Sequence, residues 1–275
     1  MHIENPKLDE RNNPNVTPES ASSELGRLLI QVGLLLIILF GISRAIAWLI
    51  GHYLPYSYEQ RYLEPIARQM VADTHTDDRL QALADQLALK MQLPEGMRVQ
   101  VHVNPEADVN AFATFGGHII MMQGLLDKAP TEQAVSMVLA HEMAHLQHRD
   151  SLKALSQTAM LQLLRTAIFG EQTAIDQSLM LGMLSYSRGQ ETAADETGID
   201  TLQAHYGSIA GGIEMYQLLS QKDNEVKRKH WLPQWLATHP DTEKRQVHLR
   251  EYAQRKGYNF EGNTTPNPWK KSSAP

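Results

Sequence analysis

The sequence predicts an α+β protein, mainly helical, with an N-terminal helix able to span a membrane. Three observations carry this prediction. LLIQVGLLLIILFGIS (28–43), followed by RAIAWLIG (44–51), is apolar on all sides. RVQVHV (98–103) alternates with its valines on one face, a strand signal. TDDRLQALADQLALKM (76–91) and the stretch after Pro130 repeat apolar residues at helical spacing.

Residues 1–25 are polar, contain Pro6, Pro14 and Pro18, and show no apolar periodicity, so they read as a disordered tail. The uncharged run 28–43 is 16 residues, short of the roughly 20 needed to cross a bilayer. Counting through Ile50 gives 23 residues with one charge, Arg44, near enough to the end to reach the headgroups. Trp48 and Tyr53 would sit in the interfacial belt. A membrane anchor over 26–52, contacting lipid through 28–50, is therefore expected. A cleaved signal peptide fits less well, because the preceding tail is long and weakly basic and no small-residue cleavage pattern follows. A buried core helix would not need to be apolar all round. Arg11 and Arg27 flank one side of the run, and Arg44, Arg61 and Arg68 the other, so the positive-inside rule does not decide the orientation.

Residues 59–92 read as helical, with Thr76 as a cap for the 76–91 segment and Leu80, Leu83, Leu87 and Met91 on one face. Pro94–Gly96 ends it. NAFATF (110–115) and HIIMM (118–122) flank Gly116–Gly117, which reads as a two-residue hairpin turn. Thr131 caps the next helix, Glu132 meets its dipole, and Ala134, Val135, Val138 and Leu139 form its stripe. HEMAH (141–145) lies in the second half of that helix. Helical stretches at 151–206 and 208–221 follow, then a polar C-terminal part that is Pro/Asn/Ser-rich over 263–275, with a disordered tail expected over 257–275.

Composition excludes some functions. The net charge of −6 and the absence of any Lys/Arg-rich run argue against a nucleic-acid partner. With no cysteine there are no disulfides or thiolate ligands, so a metal must sit on His, Asp or Glu.

His141 and His145 are four apart, which on a helix places their Cβ atoms about 5–6 Å from each other on one face. Two imidazoles there can reach one ion at about 2.0–2.1 Å. Glu142 is turned by about 100° around the axis. It cannot share that seat but can reach a water at the ion, as a general base must. The pattern alone also arises by chance in about 3 of 100 chains of this composition. A catalytic zinc needs three protein ligands and one open position. In SRGQETAADETG (187–198), Glu191 can be the third ligand, and Asp195, four further on, can fix the tautomer of a liganding histidine. A solvated acidic face shared with Glu196 is the ordinary alternative.

HEMAHLQHRD (141–150), SRGQETAADETG (187–198), NAFATFGGHIIMMQGLL (110–126) and ATHPDTEKR (237–245) occur in an order that resembles family forty-eight of the metallopeptidases, the gluzincins that include HtpX, the CAAX prenyl protease and OMA. The likeness covers roughly 60–252. It implies a gluzincin core similar to thermolysin, with a small sheet above the active-site helix, in a zinc metallopeptidase domain over 56–256. It implies one Zn²⁺ per chain on His141, His145 and Glu191, with Glu142 as base and Asp195 behind the ligands. NAFA resembles the edge strand that grips an extended peptide, through an amide contact from Asn110 and a backbone contact from Ala111. His239 in THP is the candidate donor to the oxyanion, with Arg245 as an orienting group. Phe112 and Phe115 read as core packing, His118 as structural or exposed, and His148 as structural, about 10 Å along the axis from His141.

The resemblance departs from the multi-spanning relatives, because this chain shows one spanning run. TAMLQLLRTAIFG (158–170) is interrupted by Arg165 and too short to cross, so it is expected to cover the active-site helix. The expected function is a membrane-anchored zinc metalloendopeptidase acting on misfolded or damaged membrane or envelope polypeptides. The expected location is a bacterial inner membrane, with the catalytic domain on the extracytoplasmic side. A zinc-binding chaperone or scaffold that does not cut is the alternative from another class, and a soluble secreted peptidase a third. The sequence leaves the oligomeric state open.

Overall fold

The structure is a computed structural model that describes residues 21–156, 158, 186–216, 239 and 242–271. The chain divides after Ala45 into two units. Among the described residues, one helix is long and apolar enough to cross a membrane. It lies within α1 (Ala21–Tyr53), over Ser23–Tyr53, whose most apolar 18-residue window has a mean hydropathy of 2.4. Leu, Ile and Val side chains stand exposed around the whole helix, and Ser43 satisfies its hydroxyl on the carbonyl of Phe40, 2.9 Å away. Helix thus begins by residue 21, inside the stretch expected to be tail. Residues 1–20 and 272–275, nearly all of 158–170, and 217–221 lie outside the described residues, so the expectations made for them stay open.

The single helix expected over 59–92 is two: α2 (Tyr56–Met70) and α3 (Asp78–Ala88). The break exists because His75 must be extended to exchange backbone hydrogen bonds with Val103, at 3.0 and 2.7 Å. The α3 cap is Asp77, one residue after the expected Thr76. Its carboxylate accepts from the N–H groups of Arg79 and Leu80 at 3.0 and 2.9 Å. The expected face is right for Leu80, Leu83 and Leu87, all buried.

Strands β1 (Gln100–Asn104), β2 (Ala111–Ala113) and β3 (His118–Met122) form one sheet in the order β1-β3-β2. β1 runs parallel and β2 antiparallel to β3, with Phe112 opposite Ile120. All five β3 residues are buried, as a central strand covered on both faces should be. β2 is an edge. The expected two-residue turn is longer: Phe115–Gly117 makes a 3₁₀ turn, closed by Thr114 N–H donating to the His118 carbonyl at 2.8 Å. Gly116 and Gly117 take φ of 73° and 87°, and a Cβ on Gly117 would meet the Arg98 carbonyl oxygen at 2.3 Å.

After α4 (Gln123–Lys128), Thr131 caps α5 (Glu132–His148) as predicted, accepting from Ala134 N–H at 3.1 Å. Every residue from Gln133 to Leu146 is buried, so the stripe read from the sequence is only part of the contact surface. α5 is the central helix, with the sheet against it and α6 (Arg188–Tyr206) on another side. α6 opens with a capping box between Ser187 and Gln190, and α7 (Thr242–Lys256) packs on it.

Residues 257–271 are not a loose tail. Glu132 N–H donates to the Thr265 carbonyl at 2.9 Å, and the Asn267 amide donates to the carbonyls of Leu126 and Ala129 at 2.6 and 2.8 Å. The buried Trp269 donates its indole N–H to Asp77 at 3.1 Å. A Pro/Asn-rich composition looks like a tail. Here its polar groups satisfy the unpaired backbone groups at the end of α4 and the start of α5.

Candidate metal centre

Helix α5 carries His141, Glu142 and His145, all buried. α6 meets it at Gly198, where a Cβ would stand 2.9 Å from the Met137 methyl and 3.4 Å from the His141 nitrogen. This close approach lays Glu191 and Asp195 against the two histidines. Far along the chain, His239 enters the same space.

Ligand atoms of His141, His145, Glu191 and His239 all lie within 4.8 Å of one another. His141 Nε2 is 3.1 Å from His145 Nε2 and 3.7 Å from Glu191 Oε2, and His145 Nε2 is 3.3 Å from Glu191 Oε1. Atoms held about 2.0–2.2 Å from one tetrahedral ion stand roughly 3.3–3.6 Å apart, so this donor set fits an ion of that kind. Nitrogen and carboxylate donors without sulfur suit first-row transition metals such as zinc, copper, iron and nickel.

Both Nδ1 atoms face carboxylates. His141 Nδ1 lies 2.9 Å from Asp195 Oδ1, the partner read from the sequence, and His145 Nδ1 lies 2.9 Å from Asp150 Oδ2. A proton held at Nδ1 leaves each Nε2 lone pair aimed at the common point. Glu142 stands beside the cluster. Its Oε2 accepts the Ala113 N–H at 2.8 Å, and its Oε1 faces His239 Nε2 at 3.5 Å without a hydrogen bond.

The pattern of Peptidase family M48 matches residues 74–253. The chain belongs to peptidase family M48. A Vibrio cholerae protein named as a candidate beta-barrel assembly-enhancing protease is 30% identical over 54% of this chain and 34% of its own length. The mitochondrial metalloendopeptidase OMA1 of Saccharomyces cerevisiae is 27% identical over 56% of this chain and 46% of its own. The beta-barrel assembly-enhancing protease of Escherichia coli K12 is 26% identical over 58% of this chain and 37% of its own. The chain therefore spans between a third and a half of these relatives' lengths.

In this family M48 member the charges around the cluster act on one another. Burial alone would raise the Glu191 pKa, but the charges of His239 and Arg245 and hydrogen bonds from His145 and His239 hold it well below the usual range. Asp195 behaves likewise: its burial is outweighed by the Arg245 guanidinium, whose Nε and Nη2 donate to it at 2.8 and 2.7 Å. Arg245 Nη1 reaches Glu191 Oε2, so one guanidinium contacts both Glu191 and Asp195. Burial disfavours the charged form of His145, yet Asp150 and Glu191 raise its pKa to about 9. Burial pushes His141 down despite Asp195.

Three contributors have no role assigned from sequence, although Asp150 closes the HEMAHLQHRD motif. Asp150 sits past the end of α5, where Arg149 turns left-handed (φ 56°) and swings it back to His145. Tyr186 stacks on the His145 ring with centroids 3.8 Å apart, and its hydroxyl contacts Ser151 Oγ at 2.9 Å and the Ala113 carbonyl at 3.4 Å. Tyr216 donates to Asp195, and burial raises its pKa well above the usual value.

The edge strand is less open than the sequence implied. Pairing with β3 turns the backbone groups of Ala111 and Ala113 outward. Ala111 N–H is taken by the buried Asn110 side chain at 3.0 Å, and the Ala113 carbonyl accepts from Ser151 Oγ at 3.2 Å. Asn110 thus turns onto its own strand. Phe115 is buried, as expected for packing, whereas Phe112 is only half-buried. His118 is buried between His102 (2.9 Å) and Glu64 (3.3 Å), away from the ligand cluster. His148 is half-buried, its Nδ1 3.9 Å from Asp150.

Proposed function

We propose that this M48 member is a membrane-anchored zinc metalloendopeptidase. The observation that carries the reading is the buried convergence of His141, His145 and Glu191, with Glu142 beside it and, among the described residues, no hydrogen bond to its Oε1. His141, His145 and Glu191 would hold one Zn²⁺. When bound, the ion supplies Lewis acidity that lowers the pKa of water and polarises a carbonyl.

The chain's own residues do the rest. Ala113 N–H fixes Glu142 Oε2, which leaves Oε1 to take a proton from water and return it to the leaving amine. His239 Nε2, 3.5 Å from that oxygen, is a donor toward the charge that develops on the scissile oxygen. An extended substrate would add along the outward backbone groups of Ala111, while Ala113 N–H keeps its bond to Glu142. Asn110 would then release Ala111 N–H.

The exposed apolar helix supports an anchor in a bilayer through 28–50. The relatives' names, protease and metalloendopeptidase, support polypeptide substrates. Misfolded or damaged chains, a bacterial inner membrane and an extracytoplasmic catalytic domain complete the reading, and protease accessibility in intact spheroplasts tests the sidedness. A scaffold that binds without cutting has no use for a buried base aimed at the ligand cluster.

The decisive experiment is Glu142→Gln in purified full-length protein. Zinc content should persist while casein cleavage and self-cleavage disappear. Retained cleavage would sink the assignment, and full cellular function of the mutant would favour the scaffold.

A further inference from the structure

Glu59 lies on α2, six residues beyond the end of α1, and only 5% of its surface is exposed. Its partner Arg149, 8% exposed, is the left-handed residue that ends α5. Arg149 Nε and Nη2 both donate to Glu59 Oε2, at 3.2 and 2.9 Å, and Nη1 donates to the carbonyl of Leu54, the first residue past α1. The other oxygen of Glu59 accepts Gly116 N–H at 3.2 Å, in the turn that follows the edge strand. An apolar groove of about 430 Å³, lined in part by Leu54, Leu63, Leu152 and Leu155, borders Glu59. Solvation from that side is poor, which makes the pair depend on its own hydrogen bonds.

We propose that Glu59 is a positioning residue for the metal centre and the edge strand, and that residues 54–59 belong to the active-site framework. The inference rests on the reading of the centre as a metal-dependent peptidase site. Two routes run from one carboxylate. Through Arg149 it holds the left-handed turn that sets Asp150 Oδ2 on His145 Nδ1 and Ser151 Oγ on the Ala113 carbonyl. A non-glycine residue with φ of 56° carries backbone strain, so its side-chain anchor matters. Through Gly116 it fixes the turn from which β2 presents Ala113 to Glu142. Both routes need an acceptor on each oxygen. A glutamine would turn one acceptor into a donor facing a donor. Leu54 and Glu59 also precede residue 74, where the family match begins, so this support lies outside the matched core.

The test uses the full-length protein in detergent, with the variants Glu59→Gln and Arg149→Lys and their double mutant. Zinc affinity is read by competition with a chromogenic chelator, and KM and kcat on a quenched peptide. Glu59→Gln should weaken zinc binding about tenfold or more, the usual effect of losing a group behind a ligand, and raise KM. Arg149→Lys keeps the charge but loses the fork, and should act the same way. The double mutant should be no worse than the weaker single mutant. Thr131→Ala serves as control: it loosens the other end of the same helix and should lower Tm without changing zinc affinity. Zinc affinity and KM within twofold of the parent in both single mutants would overturn the proposal. So would an equal loss of affinity in Thr131→Ala. Zinc affinity needs no turnover, so the proposal can stand or fall separately from the peptidase assignment tested by Glu142→Gln.

Discussion

Asp150 Oδ2 lies 2.9 Å from His145 Nδ1, although the helix that carries His145 has already ended. Asp150 therefore selects which nitrogen of His145 is free for a metal. Asp150→Asn is nearly isosteric but removes the charge and permits the wrong tautomer. Zinc affinity should fall about 10–100-fold, measured by chelator competition, with far-UV circular dichroism unchanged. Parental affinity in the mutant would show that Asp150 only caps the helix end.

His239 Nδ1 approaches Glu191 Oε1 at 3.0 Å, while its Nε2 faces Glu142. If it acts on the scissile oxygen, His239→Ala should lower kcat about 10²–10³-fold and leave zinc content at one per chain. A large loss of zinc would instead make His239 a fourth ligand and close the position that a catalytic site keeps open.

The metal-free protein should have an unusual pH profile. His145 has its pKa raised from 6.5 to about 9, so the stability that its proton contributes is fully present below 6.5 and lost as pH climbs through 9. Glu191 and Asp195 are depressed, so their contribution is present above the ordinary carboxylate range and lost as pH falls below it. Melting of the chelator-stripped protein should peak between about pH 5 and 6.5 and decline toward pH 9. Zinc has to displace the His145 proton, so its affinity should rise over the same interval. A flat melting temperature from pH 6 to 9 would refute the coupling.

Gly198 is where α6 meets α5. Gly198→Ala displaces only the end of the flexible Met137 side chain. Its cost should be small, and the helix propensity of alanine partly offsets it. Gly198→Val pushes branches toward the backbone of His141 and should cost about 1–3 kcal/mol, with zinc affinity reduced. Urea unfolding and chelator competition on both variants check this, and equal behaviour of the two would discount the close approach.

Much of this was legible in the sequence. The pairs His141/His145 and Glu191/Asp195 each stand four apart, and a helix converts that spacing directly into a shared face. The apolar run of α1, the Thr131 cap and the alternation in β1 are equally local. The failures share a cause. The break at 71–77 exists only because His75 pairs with Val103. The C-terminal strap packs only because its Asn and Pro residues meet the ends of α4 and α5.

What the sequence by itself determined is the spacing of the candidate donors and their chemical type, since residue type and helical period are properties of short stretches. The tertiary structure alone decided which groups orient those donors. Asp150 reaches His145 through one left-handed residue, Arg245 bridges two carboxylates from another helix, and Glu59 supports the turn from beyond the anchor. Such contacts depend on side-chain directions and on backbone reversals between segments distant in the chain, and no period along the chain encodes them.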